Sequence, residues 1–176
     1  RLLPLFWVSP DRVDFQVPSD LEPGAYRVTV ARAGQPDVSS DLNIARNAPG
    51  IFTRDEPRPG ERGLGFAFKR DGSPVTSTAP AIAGEEITLL ATGAGPYDLR
   101  APDGFNLPTD LTYRLVDPVE IVIGDQTIAP LFAGGNGGQV GVNAIRFRVP
   151  NGVSGSVEIR IKSGGRESNT VVLPIR

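Results

Sequence analysis

The side chains in this sequence that could do chemistry are carboxylates, and four of its 20 fall in one stretch. Asp98, Asp103, Asp110 and Asp117 all fall within residues 96–118. Carboxylates on a loop can hold Ca²⁺, which takes about six to eight oxygen ligands. Asp98, Asp103 and Asp110 are therefore the calcium candidates. Their spacing is not that of an EF-hand, and Arg100 and Arg114 sit among them, so a solvated loop is the competing expectation. Glu85-Glu86 and Asp55-Glu56 invite comparison with glycosidases, whose two carboxyls face each other at ~5–9 Å across a cleft. Adjacent residues in a strand point to opposite faces, so Glu85 and Glu86 cannot serve one site if a strand has begun there. Ala91-Thr92-Gly93-Ala94-Gly95-Pro96 has the look of a phosphate loop. Such a loop continues into Lys-Ser/Thr and a helix, whereas Pro96 is followed by Tyr97 and Asp98. A strand ending in a Gly-rich bend is expected instead.

Composition narrows the chemistry further. The chain has no His, no Cys and no Met. His is the usual acid–base group near neutral pH and the commonest metal ligand. Without Cys there is no disulfide framework and no thiolate site. The expectation is a protein that is not an enzyme, with no catalytic residue and no cofactor. Basic and acidic residues number 18 and 20, for a net charge of −2, and they are dispersed. Nucleic acid is not an expected partner. No apolar run approaches the ~20 residues of a membrane helix, so a membrane-embedded chain is not expected. The first residue is Arg1 rather than Met, as in a processed or trimmed polypeptide.

The elements that must position these side chains are strands. Val13, Phe15 and Val17 alternate with Asp14 and Gln16; Tyr26, Val28 and Val30 alternate with Arg27 and Thr29. Ile87-Leu89-Ala91, Val119-Ile121-Ile123, Ile145-Phe147-Val149 and Val157-Ile159-Ile161 follow the same period of two, which fits sheets solvated on one side. Turns are marked by Pro23-Gly24, Asp71-Gly72, Asn151-Gly152 and Gly164-Gly165. Asp71-Gly72, between Gly65–Phe68 and Pro74–Thr76, reads as a hairpin turn.

Parts of the chain repeat. Pro4-Leu5-Phe6 matches Pro130-Leu131-Phe132, and Phe15-Gln16-Val17-Pro18 matches Phe147-Arg148-Val149-Pro150. Tyr26–Val30 matches Val157–Ile161, and Leu42-Asn43-Ile44 matches Leu173-Pro174-Ile175. The second copy is preceded by further strand signal from Gly84 to Ala129; the first has only Arg1-Leu2-Leu3 ahead of it. The predicted fold is all-β, with tandem Ig-like β-sandwiches of which the first is incomplete at its N-terminus. Residues 1–45 are the C-terminal half of that first sandwich. Residues 46–80 are a connector with a hairpin, and residues 81–176 a complete Ig-like sandwich.

Several motifs occur in order: VSPDRVDFQVP at 8–18, APGIF at 48–52, Asp71-Gly72 before Pro74-Val75, GEEITLLATGAGP at 84–96, VEIVIGDQTIAPLFAG at 119–134 and SNTV at 168–171. Together they resemble an uncharacterised C-terminal domain of large secreted proteins from Solibacter and related acidobacteria. The resemblance implies an extracellular or cell-surface setting and an IPT/TIG-type Ig-like sandwich. It implies no catalytic residue. Members of that family carry strands ahead of the segment matching Pro4–Pro18.

A half-sandwich leaves an apolar face open. Trp7, Phe15, Val17, Tyr26 and Val28 are therefore the expected interaction residues. Their cover would come from upstream sequence, from the 64–76 hairpin folding back, or from another copy of the chain. If Phe6 follows Phe132 into a core, Trp7 faces out; otherwise Trp7 packs on the connector or the missing strands. The expected role is a non-catalytic spacer, adhesion or assembly unit of a larger secreted or surface protein. The alternative is a carbohydrate-binding module using exposed aromatics such as Trp7 or those of the 96–116 loop.

Overall fold

The computed structural model describes residues 1–55 and 60–176. It is all-β, with no helix among the described residues. Four strands come from the first part of the chain: β1 (Leu5–Val8), β2 (Val13–Phe15), β3 (Gly24–Val30) and β4 (Val38–Ile44). Next come β5 (Gly50–Ile51), β6 (Ala67–Lys69), β7 (Glu86–Thr92), β8 (Val119–Ile123) and β9 (Gln126–Ile128). The last are β10 (Phe132–Gly135), β11 (Asn143–Arg148), β12 (Gly155–Ser163), β13 (Arg166–Glu167) and β14 (Val171–Ile175).

One five-stranded sheet runs β10-β11-β7-β5, with β6 also on β7; the other runs β13-β12-β8-β9, with β14 on β12. The alternation dictates how they close. Ile87, Leu89, Ile145 and Phe147 of the first sheet and Ile121, Ile123, Ile159, Ile161 and Leu173 of the second form one buried cluster. Each fully covered side chain of this size stabilises the sandwich by ~1.5–3 kcal/mol.

The expected connector belongs to this sandwich. Ile51 pairs with Ala91, and Ala67 with Leu89. Ile51, Ala67 and Val75 all lie in the core, at 5%, 0% and 0% exposure. The Asp71-Gly72 hairpin is present, closed by Val75 N–H donating to the Ala67 carbonyl at 2.9 Å. The chain around it also borders β14, through Gly65 N–H to Val172 O and Ala81 N–H to Pro174 O, both 2.9 Å. The segment reads as a connector because its apolar positions come in runs too short to show a period. The 64–76 hairpin therefore covers the second unit, not residues 1–45.

Residues 1–45 form two separate two-stranded sheets, β1-β2 and β3-β4. Within this stretch Pro18 alone is buried.

Candidate functional site

The four matched stretches set residues of the first unit beside residues of the second. β3 and β4 pair in the same register as β12 and β14: Tyr26 faces Leu42 as Val157 faces Leu173, and Gly24 faces Ile44 as Gly155 faces Ile175. The burial differs completely. Phe147, Val149, Val157, Ile159 and Ile161 are 0–8% exposed. Of their counterparts, Phe15, Tyr26 and Val28 are half-buried, while Val17 and Val30 are exposed at 40% and 36%. The cause lies in the neighbouring strands. In the second unit β11 pairs with β7 and β12 with β8. Among the described residues, β2 and β3 have no such partners. Among the described residues the far edge of β3 is unpaired, and the apolar faces of both ribbons are only partly covered.

Trp7 is 60% exposed, beside Leu5, Phe6 and Val8 at 58%, 46% and 63%. One expectation turned Trp7 outward by having Phe6 follow Phe132 into a core. Phe132 is not in the core. It lies in a cross-strand row with Arg146, Thr88 and Phe68 on the outer face, with the guanidiniums of Arg114 and Arg146 at 5.5 and 5.1 Å from its ring centroid. Ala133, the counterpart of Trp7, packs against the core. The strand pairing sets the phase instead: across a bulge Trp7 lies opposite Asp14, on the outer face, whereas Leu5 and Val8 lie opposite Phe15 and Val13, on the side where the first unit's core would be.

The three calcium candidates do not converge. Asp98 Oδ1 accepts from Arg114 N–H at 2.9 Å. Asp103 accepts from Ser19 N–H at 3.1 Å and lies 3.7 Å from Arg1. Asp110 is exposed. Among the described residues no group of three or more acidic side chains is placed to hold a metal ion. The loop instead holds the first unit: alongside Asp103 on Ser19, Gly104 N–H donates to Gln16 Oε1 at 2.6 Å. The carboxylate pairs also part. Glu85 accepts from Ile82 N–H and lies 3.6 Å from Lys69, while Glu86 lies 3.8 Å from Arg146. Of the other pair, Glu56 is outside the described residues.

A junction that sequence reasoning missed joins the units. Just past β4, Asn47 is 4% exposed. Its Nδ2 donates to the Ala94 carbonyl at 2.9 Å and to Ser163 Oγ at 3.0 Å, and Ser163 Oγ donates to the same carbonyl at 2.6 Å. Ala94 belongs to the phosphate-loop lookalike. Gly93 and Gly95 flank it at φ +66° and +122°, and a Cβ on Gly95 would lie 2.6 Å from Asn47 Nδ2. The glycines thus let a strand end fold tightly around an amide side chain. Beside them Arg46 makes a two-pronged ion pair with Asp117 at 2.9 and 3.1 Å. The guanidinium holds the Asp117 carboxyl below its usual pKa, against the opposing pull of burial. Asn143 completes the cluster: its Oδ1 accepts from Ala94 N–H at 3.2 Å, and its Nδ2 donates to Tyr97 Oη at 2.8 Å. Burial pushes the Tyr97 phenol up in pKa.

No family model, curated protein or solved structure matches the chain. Among the described residues the arrangement offers an unpaired edge on β3, a partly exposed apolar face and a fixed junction.

Proposed function

We propose that this chain is a non-catalytic structural and assembly module of an extracellular or cell-surface protein. Its second unit is a self-sufficient sandwich. Its first unit accepts strands equivalent to β7 and β8 from a further stretch of polypeptide. One observation supports this reading: the residues matching the fully buried Phe147, Ile159 and Ile161 are only half-buried in Phe15 and Val28 and exposed in Val30. A ribbon of two strands is at best marginally stable in water, and added strands would pair its edge while their side chains cover its face. The extracellular setting is supported by the resemblance to domains that end large secreted acidobacterial proteins.

The only tryptophan reports on cover, because Trp7 lies in the open region. Its emission and the particle mass from light scattering are to be followed over a concentration series. Completion by another copy predicts a blue shift with a rise in mass. Completion by a different stretch predicts a single-copy chain with water-exposed emission. A single-copy chain with buried-indole emission would overturn the proposal.

A further inference from the structure

A second feature lies on the opposite side of the second unit's first sheet, independent of the open half-sandwich. The outward row Phe132–Arg146–Thr88–Phe68 crosses β10, β11, β7 and β6. Phe66 follows on the same face, its ring centroid 5.0 Å from that of Phe68 and tilted by 48°. Phe66, Phe68, Thr88 and Arg146, with Leu90, Asn136 and Gln139, line an open groove of about 520 Å³ beside Phe132, within the ~300–1,000 Å³ range of small-ligand sites. Two cations, Arg70 and Arg146, line it against one anion, Glu86, while the ammonium of Lys69 at its border is held by the Pro80 carbonyl and Glu85. A groove of that charge is unexpected from a chain of net charge −2.

We propose that this groove binds an acidic oligosaccharide, a chain of uronic-acid residues. Flat aromatic rings suit the apolar C–H faces of pyranoses. Guanidinium groups suit carboxylates, which they can grip with two parallel hydrogen bonds. The amides of Asn136 and Gln139 bond each other at 2.5 Å and keep spare donors and acceptors for hydroxyls. Arg146 is poised for exchange: its contact with Glu86 is long, at 3.8 Å, and its side chain is 46% exposed. An acidic peptide fits less well. Extended peptides bind through main-chain bonds at a sheet edge, whereas β7 and β11 are paired on both sides. Binding here must come from side chains, and a polyhydroxylated ring answers them better than a peptide backbone.

The test is a two-dimensional amide NMR titration of the 176-residue chain with tetragalacturonate, with neutral cellotetraose and an acidic hexapeptide of glutamates as comparisons. The uronate is expected to give saturable shifts at Phe66–Gly72, Glu86–Leu90 and Asn136–Gln139. Binding by the neutral sugar and the peptide should be at least roughly tenfold weaker. Arg146→Gln, an exposed change, should weaken uronate binding roughly tenfold with an unchanged melting temperature. Phe68→Leu should weaken it while keeping the uronate preference. Absence of saturable shifts, shifts mapping elsewhere, equal binding of the peptide, or full affinity in Arg146→Gln would each overturn the proposal.

Discussion

Asn47 donates its side-chain amide to the carbonyl of Ala94 at 2.9 Å, and this bond fixes where the first unit leaves the second. The amide is almost wholly out of water, as is Ser163, its other acceptor. Asn47→Ala leaves the Ala94 carbonyl with one fewer donor and opens a gap. The expected loss is ~1–3 kcal/mol, read as a lowered urea midpoint with an unchanged slope. A midpoint equal to that of the native chain would mean that the junction contributes nothing.

The neighbouring ion pair makes the junction sensitive to acid. The Asp117 carboxyl is held below its ordinary value by Arg46. A depressed carboxylate contributes stability that is present above its unfolded pKa, ~3.9 for Asp. That contribution is lost as pH falls through the lower, folded value. The native chain should therefore exceed Asp117→Asn in stability at neutral pH, and the gap should close in acid. Unfolding curves of both proteins across that window check the sign. A gap that widens as pH falls contradicts it.

Among the described residues, loop 96–118 is tied to the first unit through Ser19 and Gln16. Asp103 is occupied with Ser19, and Asp98 with Arg114. An ion binding the native state at roughly 100 times its Kd would add about 2.7 kcal/mol. Calcium at such levels should leave the melting temperature unchanged. Asp103→Ala should instead loosen the contact, visible as altered amide shifts at Ser19 and Gln16. A calcium-dependent rise in melting temperature would restore the aspartates as ligands.

Matched substitutions in the two copies should behave unequally. Ile159 is fully buried, and Ile159→Ala should cost ~2–5 kcal/mol. Its counterpart Val28 is only half-buried. Val28→Ala should fall within ~0.5 kcal/mol, as for a surface change. Chemical denaturation of both variants gives the comparison, and equal costs would mean that both units have cores.

The strands were legible in the sequence wherever polar and apolar residues alternate. In Val157–Ile161 the apolar set is buried and Glu158 exposed, as the pattern requires. The matched stretches of the two parts pointed to like strand pairs, and β3-β4 does pair in the register of β12-β14. Residues 46–80 were misjudged: Ile51, Ala67 and Val75 enter the core from stretches too short for a period to appear. Asn47 gave no signal either, because the bend that receives it lies at Ala94, far along the chain. The groove was half legible. Alternation puts Arg146 outward, but only the register of β6 on β7 brings Phe68 into its row. The place of Phe132 was not legible, since two arginines cover its ring on the outer face, and nor was the bulge that sets Trp7 opposite Asp14.

The central claim is that the first unit is a sandwich awaiting strands. Amide hydrogen exchange of the 176-residue chain tests it strand by strand, with light scattering to establish that a single copy is present. The expected result is protection of β11, β12 and β14 up to the global unfolding limit, with β2, β3 and β4 exchanging faster by several orders of magnitude. Equal protection of β3 and β12 in a single-copy sample would contradict the account.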